Sequence, residues 1–298
     1  MVLHESIGRY CRGLVVLAVL ALGWPLMCLD VPGQDARDAS VKEGLPRWEA
    51  GVGGFGARLP LYRGSDEYKL YAFPIPYVIY RGDIIQVERE GVRGFFHKGP
   101  LIETDFSMSG NPPVRDGDGA RKGMPELDPL LESGPAVRLF LYRGSRVSSV
   151  YLEAAARAVV SFDMDNLSPG YEGLRGGLGL VLASYTVRPR SPWRTGLRVD
   201  LDWADAEYNG YFYDVDEPYV LPDRPRYNAE GGYGGWSVSG WLTRKLTDDL
   251  SLSLFGKMMN CEGAAYEDSP LVQTRNNFVV GAAMIWKLAE SKTRVRMR

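Results

Sequence analysis

From Trp48 onward, apolar and polar residues alternate with a period of two. Trp48, Ala50, Val52 and Gly54 fall on one face, with Glu49, Gly51 and Gly53 on the other. Leu197, Val199, Leu201 and Trp203 alternate with Arg198, Asp200 and Asp202. Leu250, Leu252 and Leu254 alternate with Ser251 and Ser253. Phe278, Val280, Ala282, Met284, Trp286 and Leu288 form one face of a long last strand. A strand that is apolar on one side only is half buried, either over a protein core or against lipid. The pattern predicts an all-β chain.

Connections separate the lipid reading from the soluble one. Tight turns are expected at Tyr62-Arg63-Gly64-Ser65, Tyr80-Arg81-Gly82-Asp83 and Tyr142-Arg143-Gly144-Ser145, where glycine supplies a positive φ and Ser or Asp bonds back to the backbone. Using the alternating runs as strands places connections near 59–67, 80–83, 90–92, 98–100, 109–134, 143–146, 163–173, 188–193, 206–232, 247–249 and 261–275. Apart from 90–92, long and short connections alternate. An antiparallel up-and-down transmembrane β-barrel does this, with short periplasmic turns and longer outward loops, and the spacing implies about twelve strands over 48–288. Gly91 and Gly94 blur the pattern within 84–98. Trp48, Tyr77, Tyr80, Tyr142, Trp193, Trp203, Tyr233, Trp236 and Trp286 lie near strand ends, where interface girdles of a barrel sit.

The N-terminus changes the compartment. Arg9 and Arg12 precede the apolar run Leu14–Leu22, which Trp24-Pro25 ends. That run falls short of the roughly 20 residues of a helical span, so residues 1–36 are expected to be a signal peptide. A tilted anchor and a lipid-modified Cys28 are the alternatives, the latter disfavoured by Met27 before it. Residues 37–47 read as a flexible lead-in. Cys261 is then alone beyond the signal, so no internal disulfide is expected. A formal net charge of −2, with charged residues spread along the chain, implies no nucleic-acid partner.

Candidate chemistry is sparse. Gly51-Val52-Gly53-Gly54-Phe55-Gly56 fits a dinucleotide fingerprint, but Arg58-Leu59-Pro60 follows where a helix should begin, and Phe73-Pro74-Ile75-Pro76 stands where an acid is needed. Glycines at alternate strand positions instead permit close packing. His97 is the one histidine beyond the signal, and no G-x-S-x-G elbow is present. Asp163-Met164-Asp165-Asn166-Leu167 begins like a calcium loop but puts Leu167 at a ligand position. Asp214, Asp216 and Glu217 form an acidic loop cluster, and Arg81-Gly82-Asp83 is accounted for as a turn. No catalytic, metal or cofactor residue is expected, and the chain reads as a non-enzyme. Arg198, Asp200 and Asp202 are the lumen-lining candidates, able either to line a pore or to plug it through ion pairs; Glu153 and Arg157 lie on a similar polar face.

Several segments resemble one family when taken together. These are the Gly-rich first strand, Pro60–Asp66, Pro74–Asp83, Tyr208–Val215, Arg224–Gly232 and Asp268–Val272. In this order they resemble the MipA/OmpV family over nearly all of the chain beyond the signal. The resemblance implies an outer-membrane β-barrel in contact with outer-membrane lipid. It also implies a scaffold that joins a murein hydrolase (a lytic transglycosylase) to a bifunctional murein synthase. Adhesion and narrow porin-like roles are also described for such proteins. One departure is the C-terminus: a basic tail, 289–298, follows Leu288 where such barrels usually end on an aromatic residue. Its Lys292, Arg294, Arg296 and Arg298 are candidates for binding partner proteins at the periplasmic end.

Overall fold

The computed structural model describes residues 45–81, 85–88, 91–114, 119–144, 147–163, 166, 168–185 and 192–295. The expected signal peptide, Arg296 and Arg298, and parts of the 163–167 segment lie outside the described residues. Twelve antiparallel strands close into a barrel: β2 (Trp48–Pro60), β3 (Tyr68–Arg81), β4 (Ile85–Glu88), β5 (Gly91–Lys98), β6 (Ile102–Asn111), β7 (Leu130–Tyr142), β8 (Val147–Phe162), β9 (Pro169–Tyr185), β10 (Trp193–Ala204), β11 (Gly232–Lys245), β12 (Leu250–Asn260) and β13 (Asn276–Glu290). Strand β13 pairs back onto β2, with Trp286 opposite Val52 and Met284 opposite Gly54, so the ring closes on the Gly-rich strand.

The alternation sorts as expected. Val52, Leu197, Leu201, Leu254, Phe278, Val280, Met284 and Trp286 are exposed on the outside, as a lipid-facing surface requires. Their neighbours point inward. Phe55, Ala57, Leu59, Ile75, Phe140, Tyr151, Val181, Trp241, Phe255 and Val279 form a continuous core within the lumen. Phe55 anchors it, stacked on Phe255 at 5.6 Å and tilted against Phe73 at 5.2 Å. Tyr77 departs from the expected girdle: it points inward and donates to Glu49 at 2.9 Å, because odd positions of β3 face the lumen.

Glycine places the largest lumen side chains. Gly196 lies opposite Trp241 on the next strand, and a Cβ there would fall 1.9 Å from Cζ2 of the indole. Gly281 stands in the same relation to Phe255, at 2.2 Å from Cζ. Each aromatic ring fills the space that a glycine leaves on its neighbour, a device that also shields the backbone. Gly196→Ala is expected to push the indole off its seat and destabilise the barrel by about 1–3 kcal/mol. The measurements are urea unfolding of the detergent-solubilised protein and loss of near-ultraviolet circular dichroism.

Two features depart from a uniform wall. The first is where the sequence pattern blurs. β4 has four residues and β5 eight, whereas a strand needs about 9–11 residues to cross a membrane. β4 pairs β3 only at Tyr80 and Arg81, and β5 follows β6 no further than Phe106. Among the described residues, no strand pairs that side of β3 from Tyr68 to Ile79, or that side of β6 from Ser107 to Asn111. The sequence prepares this edge. Arg81 N–H donates to Arg47 O at 2.8 Å, so odd residues of β3 direct their N–H groups toward β2. Even positions, which include Pro74 and Pro76, turn their backbone nitrogens into the notch. Proline has no N–H to leave unpaired, so it suits an edge that lacks a partner. At the top of the notch, Tyr71 Oη donates to Pro113 O at 3.3 Å.

The second departure is at the short-turn end. β1 (Leu45–Pro46) pairs with β14 (Arg294–Val295) in a separate two-stranded ribbon. Segments expected as lead-in and tail therefore meet outside the barrel. Arg81 ties this end down through Glu49 at 2.7 Å and Pro46 O at 2.7 Å.

Candidate functional site

Among the described residues, the ion pairs in the lumen group into two networks. In the first, Arg138 pairs with Asp105 at 3.0 Å and Glu153 at 2.6 Å; Glu153 also meets Arg198 at 3.1 Å, and Arg198 meets Asp200 at 2.7 Å. In the second, Arg175 joins Glu132 at 2.9 Å to Asp202 at 3.0 Å, and Asp202 meets Arg63 at 2.8 Å. Ser109 and Asn111 donate to the Glu132 carboxylate at 2.9 and 3.2 Å. All three lumen candidates from sequence, Arg198, Asp200 and Asp202, thus face inward and are paired. Asp202 belongs to a different network from its neighbours, because bulges and strand stagger put different partners across the lumen at each level. The pivots Glu132, Arg138, Arg175 and Arg63 were not singled out from sequence. Arg138 stands between Val137 and Leu139, which is the available signal, whereas Glu132 falls in the connection expected over 109–134 and carries none; their partners come from other strands.

The outward loops are not loose. Residues 61–67, 112–114, 119–129, 205–231 and 261–275 interlock over the long-loop end around a second apolar core that includes Tyr62, Leu127, Phe212, Tyr213, Val215, Tyr266 and Leu271. Within the third loop runs α1 (Ala206–Tyr213), which the alternation does not predict. Asp205 starts it by accepting from Tyr208 N, an N-cap that frees the chain from the strand pattern. Tyr213 and Tyr266 stack at 3.8 Å with an angle of 5°. Tyr62 donates to Leu271 O at 2.9 Å, Tyr213 to Arg63 O at 2.8 Å, and Arg121 to Phe212 O at 2.8 Å. Arg224 clasps Ala120 O and Lys122 O. Gly64, at φ +95°, makes the turn that brings its N–H onto Asn277. The acidic cluster has a structural use too, with Asp214 accepting from Ala229 N. Cys261 is buried in this cap and unbridged.

Burial in the cap raises its tyrosine pKa values, that of Tyr62 to about 12, and that of Tyr213 as well. A raised folded-state pKa leaves stability intact below the unfolded value near 10 and removes it as pH climbs toward the folded value. The cap is therefore expected to hold at neutral pH and to weaken between pH 10 and about 12. Tyr62 alone would account for about 2–3 kcal/mol of that loss. Phenolate absorbance set against pH, together with protease sensitivity of the loops, checks this; Tyr62→Phe should flatten the dependence.

Between cap and lumen core lies a cavity of about 170 Å³, whose lining includes Phe55, Leu59, Phe212, Tyr266, Asn209 and Lys257. Among the described residues no His, Cys, Asp or Glu cluster could hold a metal ion.

The family described as MltA-interacting protein MipA matches residues 52–288. The chain belongs to that family. No curated relative matches it. Among solved structures, one titled "CymD monoaromatic hydrocarbon channel" matches at 12% identity, covering 85% of this chain and 68% of that one, with a TM-score of 0.26. That likeness is too distant to bear on what this MipA-family barrel does. The segments that carried the resemblance in sequence are concentrated in the cap. Pro60–Asp66 supplies Tyr62 and Gly64, Tyr208–Val215 forms most of α1 and its exit, Arg224–Gly232 supplies the clasp, and Asp268–Val272 supplies Leu271.

Proposed function

We propose that this protein is a non-enzymatic outer-membrane scaffold for murein-remodelling enzymes. The barrel serves as membrane anchor and the short-turn end as dock. The observation that carries this reading is the filled lumen: an aromatic core and two ion-pair networks occupy it, and a folded cap lies over its outer mouth. A barrel packed in this way is suited to anchoring more than to passing solutes. Membership of a family described by interaction with MltA supports the same reading. The dock is the β1–β14 ribbon, which carries Arg294, with Lys292 just before it; Arg294 is held at 3.0 Å by Glu290. Outer-membrane lipid surrounds the apolar belt, and the partners are a murein hydrolase and a murein synthase.

The test is affinity capture from detergent-solubilised envelopes with the full chain as bait. A lytic transglycosylase and a bifunctional murein synthase should be enriched, and Lys292→Glu with Arg294→Glu should reduce that enrichment several-fold while heat-modifiable gel mobility stays normal. Absence of either enzyme from the capture, combined with steady ion conductance in planar bilayers, would replace the scaffold reading with the porin-like one.

A further inference from the structure

The cavity beneath the cap carries features that neither anchoring nor docking uses. Its walls are mainly apolar and aromatic, with Phe55, Leu59, Phe212 and Met259 among them. At about 170 Å³, it is comparable to engineered cavities of about 150 Å³ that take up benzene. A single ring or a chain of about six carbons fits that volume.

Two polar groups in the lining are unspent. Lys257 projects inward from β12 and makes neither hydrogen bond nor ion pair with any described residue. Its charge reaches Asp202 only at longer range. Asp202 already holds Arg63 and Arg175, so Lys257 is the uncompensated cation of this compartment. Asn209 on α1 is 1% exposed. Its amide donates to Glu230 O at 2.7 Å, which fixes its orientation, while Oδ1 has no partner among the described residues. A buried acceptor without a donor costs about 1–3 kcal/mol, a cost that a ligand hydroxyl would relieve. Gly110, Asn111 and Pro112, on the same cavity wall, are at the free edge of β6 beside the notch.

We propose that this cavity is a binding site for a small amphipathic anion: an aromatic ring or short chain that bears a carboxylate for Lys257 and a hydroxyl for Asn209 Oδ1. The apolar wall takes the body of the molecule, Lys257 supplies the countercharge and Asn209 accepts from the hydroxyl. The site is independent of the periplasmic dock, so it stands or falls separately from the scaffold reading.

The probe is 4-hydroxybenzoate, titrated calorimetrically into the purified full chain in detergent, with benzoate, toluene and sulfate alongside. The expected order is 4-hydroxybenzoate above benzoate, with toluene and sulfate weakest. Lys257→Gln should weaken 4-hydroxybenzoate at least tenfold without affecting toluene. Met259→Trp, which fills the cavity, should abolish binding of all three organic probes. Heat-modifiable mobility of each variant confirms a folded barrel. Absence of 4-hydroxybenzoate binding, or binding unchanged in folded Lys257→Gln and Met259→Trp, overturns the proposal.

Discussion

Replacing Glu132 with alanine is expected to destabilise the barrel by about 3–5 kcal/mol, the range for removing one partner from a buried ion pair. Glu132 is fully buried on β7 and accepts from Arg175, Ser109 and Asn111 together. Arg63, Arg175, Glu132 and Asp202 balance as two positive and two negative charges bonded to one another. Loss of Glu132 leaves that set with one surplus cation in a low-dielectric interior, together with two polar side chains that have lost their acceptor. Removing both charges, with Glu132→Met and Arg175→Met, leaves Arg63 paired with Asp202. The double variant should then recover most of the loss, since a buried pair is often replaceable by apolar residues of similar size. Urea unfolding of the parent chain and the two variants in the same detergent, followed by heat-modifiable mobility, gives the comparison. If Glu132→Ala proves no less stable than the parent chain, the network is not holding β6, β7, β9 and β10 together.

The second large effect is expected from hollowing the lumen. Trp241 and Phe255 are 3% and 4% exposed and sit at the centre of the inner core. Each truncation to alanine should cost about 3–5 kcal/mol through lost contacts and the cavity left behind. The stiff strand ladder limits collapse around such a cavity. The Trp241→Ala, Phe255→Ala variant should therefore show single-channel current in planar bilayers well above that of the parent chain. A parent chain that already conducts as well as the variant would show that these rings do not seal the lumen.

Strand number, the pairing of consecutive strands and the inside–outside assignment were legible because each rests on local chemistry. Alternation sets which side chains face lipid, and turn residues set where the chain reverses. The eleven expected connections match the observed ones closely, including the tight one between β4 and β5. The dinucleotide-like glycines of β2 are wall residues: Gly53 and Gly54 lie opposite Ile285 and Met284 on the closing strand. The notch was present in the chain as Pro74 and Pro76, but its meaning depends on which edge their nitrogens face. That follows from the register against β2 and not from the proline spacing alone.

The sequence by itself determined a twelve-strand barrel with a greasy outside, a polar-aromatic inside and its long loops at one end. Only the tertiary structure decided what the inside and the loops do. Arg198, Asp200 and Asp202 are three alternating charges in sequence, yet they split between two networks, since their partners Glu153, Arg175 and Arg63 arrive from other strands and from the cap. The cap itself obeys no period, because its order comes from Tyr62, Leu127, Tyr213 and Tyr266 packing across four separate loops. Period-two alternation specifies a face for each residue along one strand. It carries no information about which side chains meet across a lumen or above its mouth, and that is where this barrel is closed.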